Sequence, residues 1–147
     1  IQFSDESNIK PAIDYHIMRS YIRTGRVIPR DPILYKFLEG AHVNRAALVR
    51  QLRKAVAEAE ILTAFYAGLN VSDLNYIEWQ IGRSICINKQ PHCNNVDVEG
   101  VAEDIKPLCP NKCPYSSNCR AVNEYLSNDE FSQFIKFEEP NYISTDY

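Results

Sequence analysis

The sequence predicts an all-α chain, on three observations. Apolar residues recur at helical period in successive segments bounded by capping residues; no segment alternates at strand period; and the proline-rich remainder gathers around cysteines. With 147 residues, 45% of them hydrophobic, the chain is long enough to bury one domain-sized core.

The first helix is expected over residues 11 to 25, with Pro11 at its first position and Gly25 as its C-terminal cap. Ile13, Ile17, Met18, Tyr21 and Ile22 fall on one stripe, and Arg19, Ser20 and Arg23 lie mostly off it. Residues 26 to 43 hold Pro29 and Pro32 and read as a loop with one helical turn over 33 to 38. Asn44 is expected to cap a helix over 45 to 67, closed by Gly68 and Asn70. Its apolar face comprises Leu48, Leu52, Ala55, Val56, Ala59, Leu62 and Phe65, leaving Arg45, Arg50, Arg53 and Lys54 in water. Ser72 is expected to cap a third helix over 73 to 86, with Asp73 in the first turn, where the helix dipole favours an anion. Leu74, Ile77, Trp79, Ile81 and Ile85 give it apolar area. Residues 86 to 119 read as loop, with Pro91, Pro107, Pro110 and Pro114, and a short helix follows near 118 to 126.

Charge and composition exclude some classes. No run of about 18 apolar residues exists, so no membrane span is expected. The net charge of -3 lacks the overall basic excess of many nucleic-acid binders. Its distribution is uneven, however: residues 10 to 54 are rich in arginine, whereas residues 128 to 147 carry five acids against Lys136. A basic body with an acidic tail is compatible with a nucleic-acid partner. The start, IQFSDESN, has neither an initiator Met nor a targeting pattern, which suggests part of a longer protein. Five cysteines do not pair off as a disulfide framework, so a reducing, intracellular compartment is expected (cytoplasm, nucleoid or nucleus). Asn70-Val71-Ser72 matches a glycosylation triplet, but no secretory signal accompanies it.

The cysteines leave three readings open. Their gaps are six, fifteen, three and five residues. Buried free thiols are the plainest reading, although scattered thiols would not gather in one proline-rich loop. Structural zinc usually shows a two-residue knuckle, absent here, although His92 could serve as a ligand. A [4Fe–4S] cluster takes one thiolate on each of four irons and needs wider ligand loops. Cysteine followed by proline, as at Cys109-Pro110 and Cys113-Pro114, also recurs beside such clusters. Spacing favours the cluster.

Two segments carry a resemblance. NYIEWQIGRSICINKQPHC, residues 75 to 93, resembles the entry to the iron–sulfur loop of the endonuclease III-like helix-hairpin-helix (HhH-GPD) DNA glycosylases, whose pattern is Cys-x6-Cys-x2-Cys-x5-Cys. Cys86-x6-Cys93 matches its first half and Cys113-x5-Cys119 its second, while residues 94 to 112 replace the two-residue gap. The resemblance implies Cys86, Cys93, Cys113 and Cys119 as cluster ligands, with Cys109 as an alternative third ligand. AIDYHIMRSYIRTGRV, residues 12 to 27, is similar to the family's segment around its catalytic aspartate, with Ile13, Asp14, His16, Ile17 and Arg19 on the matching positions. The two matches fall in family order and together cover about residues 10 to 120.

The resemblance implies the C-terminal part of such a glycosylase fold: residues 1 to 85 a partial helical catalytic portion, 86 to 119 the cluster loop with an insertion, and 120 to 147 a short helix and an acidic, aromatic tail. It further implies a duplex DNA partner with a flipped base and the N-terminal half of the same protein as a second partner. Hydrolysis of the N-glycosidic bond of a damaged, mismatched or modified base is the expected reaction, with Asp14 as the catalytic carboxylate. Arg83, Lys89, His16 and Arg19 are the expected DNA contacts. On helix preference alone, an acid in a first turn is structural, and a His on an apolar helix is a packed core residue. The family's phosphate-binding hairpin and the lysine of its lyase members would lie upstream of Ile1. Two other readings stand beside this one. The first is a non-catalytic nucleic-acid-binding or regulatory iron–sulfur protein on the same scaffold, and the second is an N-glycosidase acting on nucleosides or nucleotides.

Overall fold

A computed structural model of the chain describes residues 10–30, 46–88, 91–94 and 100–125. Four α-helices follow in order: α1 Tyr15–Thr24, α2 Ala46–Ala67, α3 Val71–Ser84 and α4 Arg120–Tyr125, with a 3-10 turn at Lys106–Leu108 before α4. No strand occurs among the described residues, so the chain is all-α there.

Helix α1 starts later than its proline suggests. Asp14 is its N-cap, with extended backbone, and its Oδ1 accepts the Ile17 N–H at 3.0 Å. A short carboxylate satisfies an orphan amide better than Pro11 can, so Pro11 lies ahead of the helix. The far end is as expected. Gly25 adopts φ 80°, and its N–H returns to the Ile22 carbonyl at 3.0 Å. A Cβ there would also stand 3.0 Å from the Cβ of Arg120, at the start of α4.

α1 packs against the three other helices. Ile17, Met18, Tyr21 and Ile22 meet Val49, Leu52 and Val56 of α2, together with Cys119 and Ala121. Each large side chain fully buried there contributes roughly 1.5–3 kcal/mol. The expected α2 stripe is rotated. Val49, Leu52, Val56, Glu60 and Ala64 face inward, whereas Leu62 and Phe65 are 58% and 76% exposed. The stripe is rotated because Glu60 turns inward to a hydrogen bond from Asn75 of α3, described below. Asn44 and the turn over 33 to 38 lie outside the described residues.

Helix α3 begins at Val71 with Asn70 as N-cap, ahead of the expected Ser72, and keeps Asp73 in its first turn. It ends at Ser84, before Cys86. The Ile81 carbonyl accepts from both Ile85 N–H and Cys86 N–H, at 2.9 and 2.8 Å, and this closes the helix. Gly82 permits its contact with α1: a Cβ there would lie 2.7 Å from the His16 carbonyl oxygen, which is backbone and cannot move aside. Gly82→Ala is therefore expected to force the helices apart and lower stability by about 1–3 kcal/mol, read as a lower denaturant midpoint with unchanged slope.

The described part of the cysteine-loop insertion has a core of its own. Val101, Ile105 and Cys109 pack with Cys113 on Ile81 and Ile85 of α3. The insertion is thus anchored on α3 by apolar contact.

Candidate functional site

Two arginines join the aspartate helix to the cysteine segment. Arg19 and Arg23 are one turn apart on α1, and both are buried, at 3% and 1% exposure. Arg19 donates from Nε to the Cys86 carbonyl at 2.6 Å and from Nη2 to the Gly82 carbonyl at 2.8 Å. Arg23 donates from Nη1 to the Ile87 carbonyl at 2.7 Å and from Nη2 to the Asn88 carbonyl at 2.6 Å. These are orphan acceptors at and beyond a helix C-terminus, where the dipole is negative and a guanidinium is favoured. Charge-assisted bonds of this kind offset much of the cost of burying the cation.

Arg23 also brings two thiols together. Its Nη1 lies 3.7 Å from Cys86 Sγ, and its carbonyl accepts from Cys119 Sγ at 3.5 Å. The other two predicted ligands are tied by backbone, with Cys113 N–H donating to the Cys93 carbonyl at 2.9 Å. Burial above all, with neighbouring Cys86 and Cys119, raises the Cys93 thiol to about 11 against the lowering by Arg23. Burial likewise pushes Cys113 up to about 12, with Cys86, Cys93 and Cys119 adding to the rise and the Tyr115 N–H opposing it. Burial raises Cys119 too, opposed by the N–H groups of Val122 and Ala121. Cys86, Cys93, Cys113 and Cys119 thus form one electrostatic group. Cys109 is fully buried in the apolar cluster that also holds Cys113, and burial raises its thiol.

Tetrahedral zinc needs its donors at about 2.0–2.3 Å from a single point, and among the described residues no three His, Cys, Asp or Glu side chains form a group that could hold a metal ion. One thiolate on each of four irons asks for a wider arrangement. N–H groups of the loop oppose the rise at Cys113 and Cys119, and Arg23 lies beside Cys86; hydrogen bonds of this kind would steady sulfur ligands.

An ion pair with a buried carboxylate ties the loop to the end of α1. Arg26, just beyond α1, forks onto both carboxylate oxygens of Glu78, with Nη2 to Oε2 at 3.1 Å. Tyr115, between Cys113 and Cys119, donates to Glu78 Oε1 at 2.9 Å. The guanidinium lies over the Tyr21 ring at 3.8 Å and the Tyr115 ring at 4.6 Å. Burial, and then Glu78, raise the Tyr115 phenol, which keeps it a neutral donor.

Asp14 stands at the opposite end of α1, about 14 Å along the axis from Arg23 at 1.5 Å per residue. It is half-buried, and Oδ1 is taken by Ile17 N–H, leaving Oδ2 with no hydrogen bond among the described residues. Beneath it, Asn75 of α3 donates from Nδ2 to the Ala12 carbonyl at 3.2 Å and to Glu60 Oε1 at 3.0 Å. Glu60 is fully buried. Burial above all, then Glu78 and Asp14, raise its carboxyl from 4.5 to about 7, against Asn75 and Arg26. A raised acid contributes stability that is fully present below 4.5 and is lost as pH rises through about 7. That loss is on the order of 3 kcal/mol. Glu60→Gln is expected to flatten it, as measured by denaturant unfolding across that range.

The other expected DNA contacts divide. Arg83 is exposed on the last turn of α3, its guanidinium 5.1 Å from the centre of the Trp79 ring. Lys89 lies outside the described residues. His16 is half-buried, its Nδ1 3.1 Å from Arg19 Nη2 and its ring 4.1 Å from that of Tyr15. Arg19, expected among the DNA contacts, is corrected: its guanidinium is buried and committed to the carbonyls of Gly82 and Cys86. Sequence reasoning missed Arg23, Arg26, Glu60, Asn75, Glu78 and Tyr115. One available signal was the pair Arg19 and Arg23, at i and i+4 on an otherwise apolar helix.

No protein-family model, curated protein or solved structure matches the chain. No helix among the described residues is long and apolar enough to cross a membrane.

Proposed function

We propose that this chain is the cluster-bearing C-terminal part of an endonuclease III-like DNA glycosylase that hydrolyses the N-glycosidic bond of a damaged, mismatched or modified base. One observation carries the reading. Arg19 of the aspartate segment bonds the Gly82 and Cys86 carbonyls of the cysteine segment, 63 and 67 residues further along the chain. A chance pair of motifs has no reason to dock.

The roles follow from position. Cys86, Cys93, Cys113 and Cys119 would hold a [4Fe–4S] cluster, whose part is to fix the loop. A helix length separates it from Asp14, so no reaction step belongs to it. Asp14 does the chemistry on a nucleotide flipped out of the duplex. The Ile17 N–H fixes its rotamer, and Oδ2 is left to face the sugar. As the glycosidic bond breaks, its electron pair leaves with the base nitrogen and cationic charge develops on the sugar. The carboxylate stabilises that charge and takes a proton from the water that bonds to the anomeric carbon. Arg83, exposed beside the loop, meets a backbone phosphate.

The reading is tested by incubating the full-length protein with duplexes that each carry one modified base, and with the matching free nucleosides. Base release from duplex alone supports it. Release from nucleosides alone favours the nucleosidase, and binding without release favours the non-catalytic scaffold, the reading to which the acidic net charge leans.

A further inference from the structure

Glu60 is a fully buried carboxyl in the stripe by which α2 meets the other helices. Charged side chains are almost never fully buried unless paired, and this one is only half satisfied. Oε1 accepts from Asn75, while Oε2 is buried without a hydrogen-bond partner among the described residues. A bare, buried carboxylate oxygen is costly when charged, so Oε2 is the atom that holds a proton. The groups facing it come from every side: Asp14 at the start of α1, Tyr21 within α1, Arg26 beyond its end and Glu78 on α3. Arg26, the one cation among them, is already forked onto Glu78. The Asn75 nitrogen that holds Glu60 also holds the Ala12 carbonyl, two residues ahead of Asp14.

We propose that Glu60 is a positioning residue for Asp14: through Asn75 it fixes the backbone leading into the helix cap, and by losing its proton it places a second negative charge behind the carboxylate. The catalytic consequence rests on the glycosylase reading; the electrostatic link between the two acids does not. With Glu60 neutral, Asp14 alone faces the cationic charge developing on the sugar, since Glu78 is neutralised by Arg26. With Glu60 ionised, that charge meets a stronger field. The wild-type rate therefore rises with pH through the ionisation of Glu60, which its surroundings hold at about 7.

Two measurements on the full-length protein decide it. In a side-chain carbon NMR titration, the Glu60 midpoint is expected to fall in Asp14→Asn, because a neighbouring anion has been removed. An unchanged midpoint would overturn the link. In the pH–rate profile of base release, kcat is expected to rise several-fold from about pH 6 to about pH 8 with KM unchanged. Glu60→Gln, which mimics the protonated form, should hold kcat at its low-pH value throughout. A Glu60→Gln profile that keeps the rise overturns the proposal. Should that variant fold poorly, Asn75→Ala removes a bond that favours ionisation and must move the rise to higher pH; an unmoved rise has the same force. If no variant releases base at any pH, the glycosylase reading fails, and the NMR titration still decides whether Glu60 and Asp14 are coupled.

Discussion

Serine at Cys86, Cys93, Cys113 or Cys119 is expected to abolish stoichiometric iron binding, whereas serine at Cys109 leaves it intact. Four of the five thiols form one group around Arg23 and the Cys113–Cys93 backbone bond, and the fifth lies in the apolar contact between Val101, Ile105 and α3. The two kinds of variant should also fail differently. Without a metal group, the loop would rest on Arg19, Arg23, the Arg26–Glu78–Tyr115 network and its apolar contact with α3. Metal binding is part of folding free energy in such loops, so ligand variants should lose thermal stability and resistance to proteolysis within 86 to 119. Cys109→Ser buries a hydroxyl among apolar side chains and costs about 1–3 kcal/mol without touching the ligands. Iron content and absorbance near 400 nm (approximately where thiolate-bound clusters absorb) separate the outcomes. A colourless, zinc-loaded protein would contradict the cluster assignment.

Asp14→Asn is expected to remove base release by roughly 10²- to 10⁴-fold while leaving the fold in place. The separation is possible because the cap and the proposed charge stabilisation differ in what they need. Capping needs a side-chain oxygen for the Ile17 N–H, and asparagine supplies one as well as aspartate does. Charge stabilisation needs the anion. Asp14→Ala loses both and should cost about a further 1 kcal/mol of stability. A purely structural Asp14 predicts the reverse pattern, with Asp14→Asn active and Asp14→Ala merely less stable. Circular dichroism melts beside single-turnover base release distinguish the two.

The helices were legible because α1 and α3 carry regular apolar spacing between recognisable caps, with Gly25 and Asp73 in the roles the sequence assigns them. What escaped was polar burial. Glu60 occupies a core position on α2, and periodicity sends an acid to water; only its meeting with Asn75, fifteen positions later, makes that burial tolerable. Arg19 escaped for the same reason. Its partners are backbone carbonyls, which no residue pattern announces. Helix starts shifted because neighbouring start signals competed: Asp14 outdid Pro11, and Asn70 came into use ahead of Ser72. The thiol spacing marked the loop but could not choose among five cysteines, because Cys86, Cys109, Cys113 and Cys119 are all buried and Cys109 shares an apolar cluster with Cys113. Contacts between residues far apart in sequence place the site, and those depend on packing.

The central claim is that Asp14, held by a cluster-pinned helix, breaks a glycosidic bond in duplex DNA. Mass-spectrometric detection of free base and abasic duplex, produced by the iron-loaded full-length protein and compared with Asp14→Asn on the same duplexes, tests it most directly. The account predicts both products with wild type and neither with Asp14→Asn. Equal release by the two proteins, or none from any duplex while free nucleosides are cleaved, would contradict it.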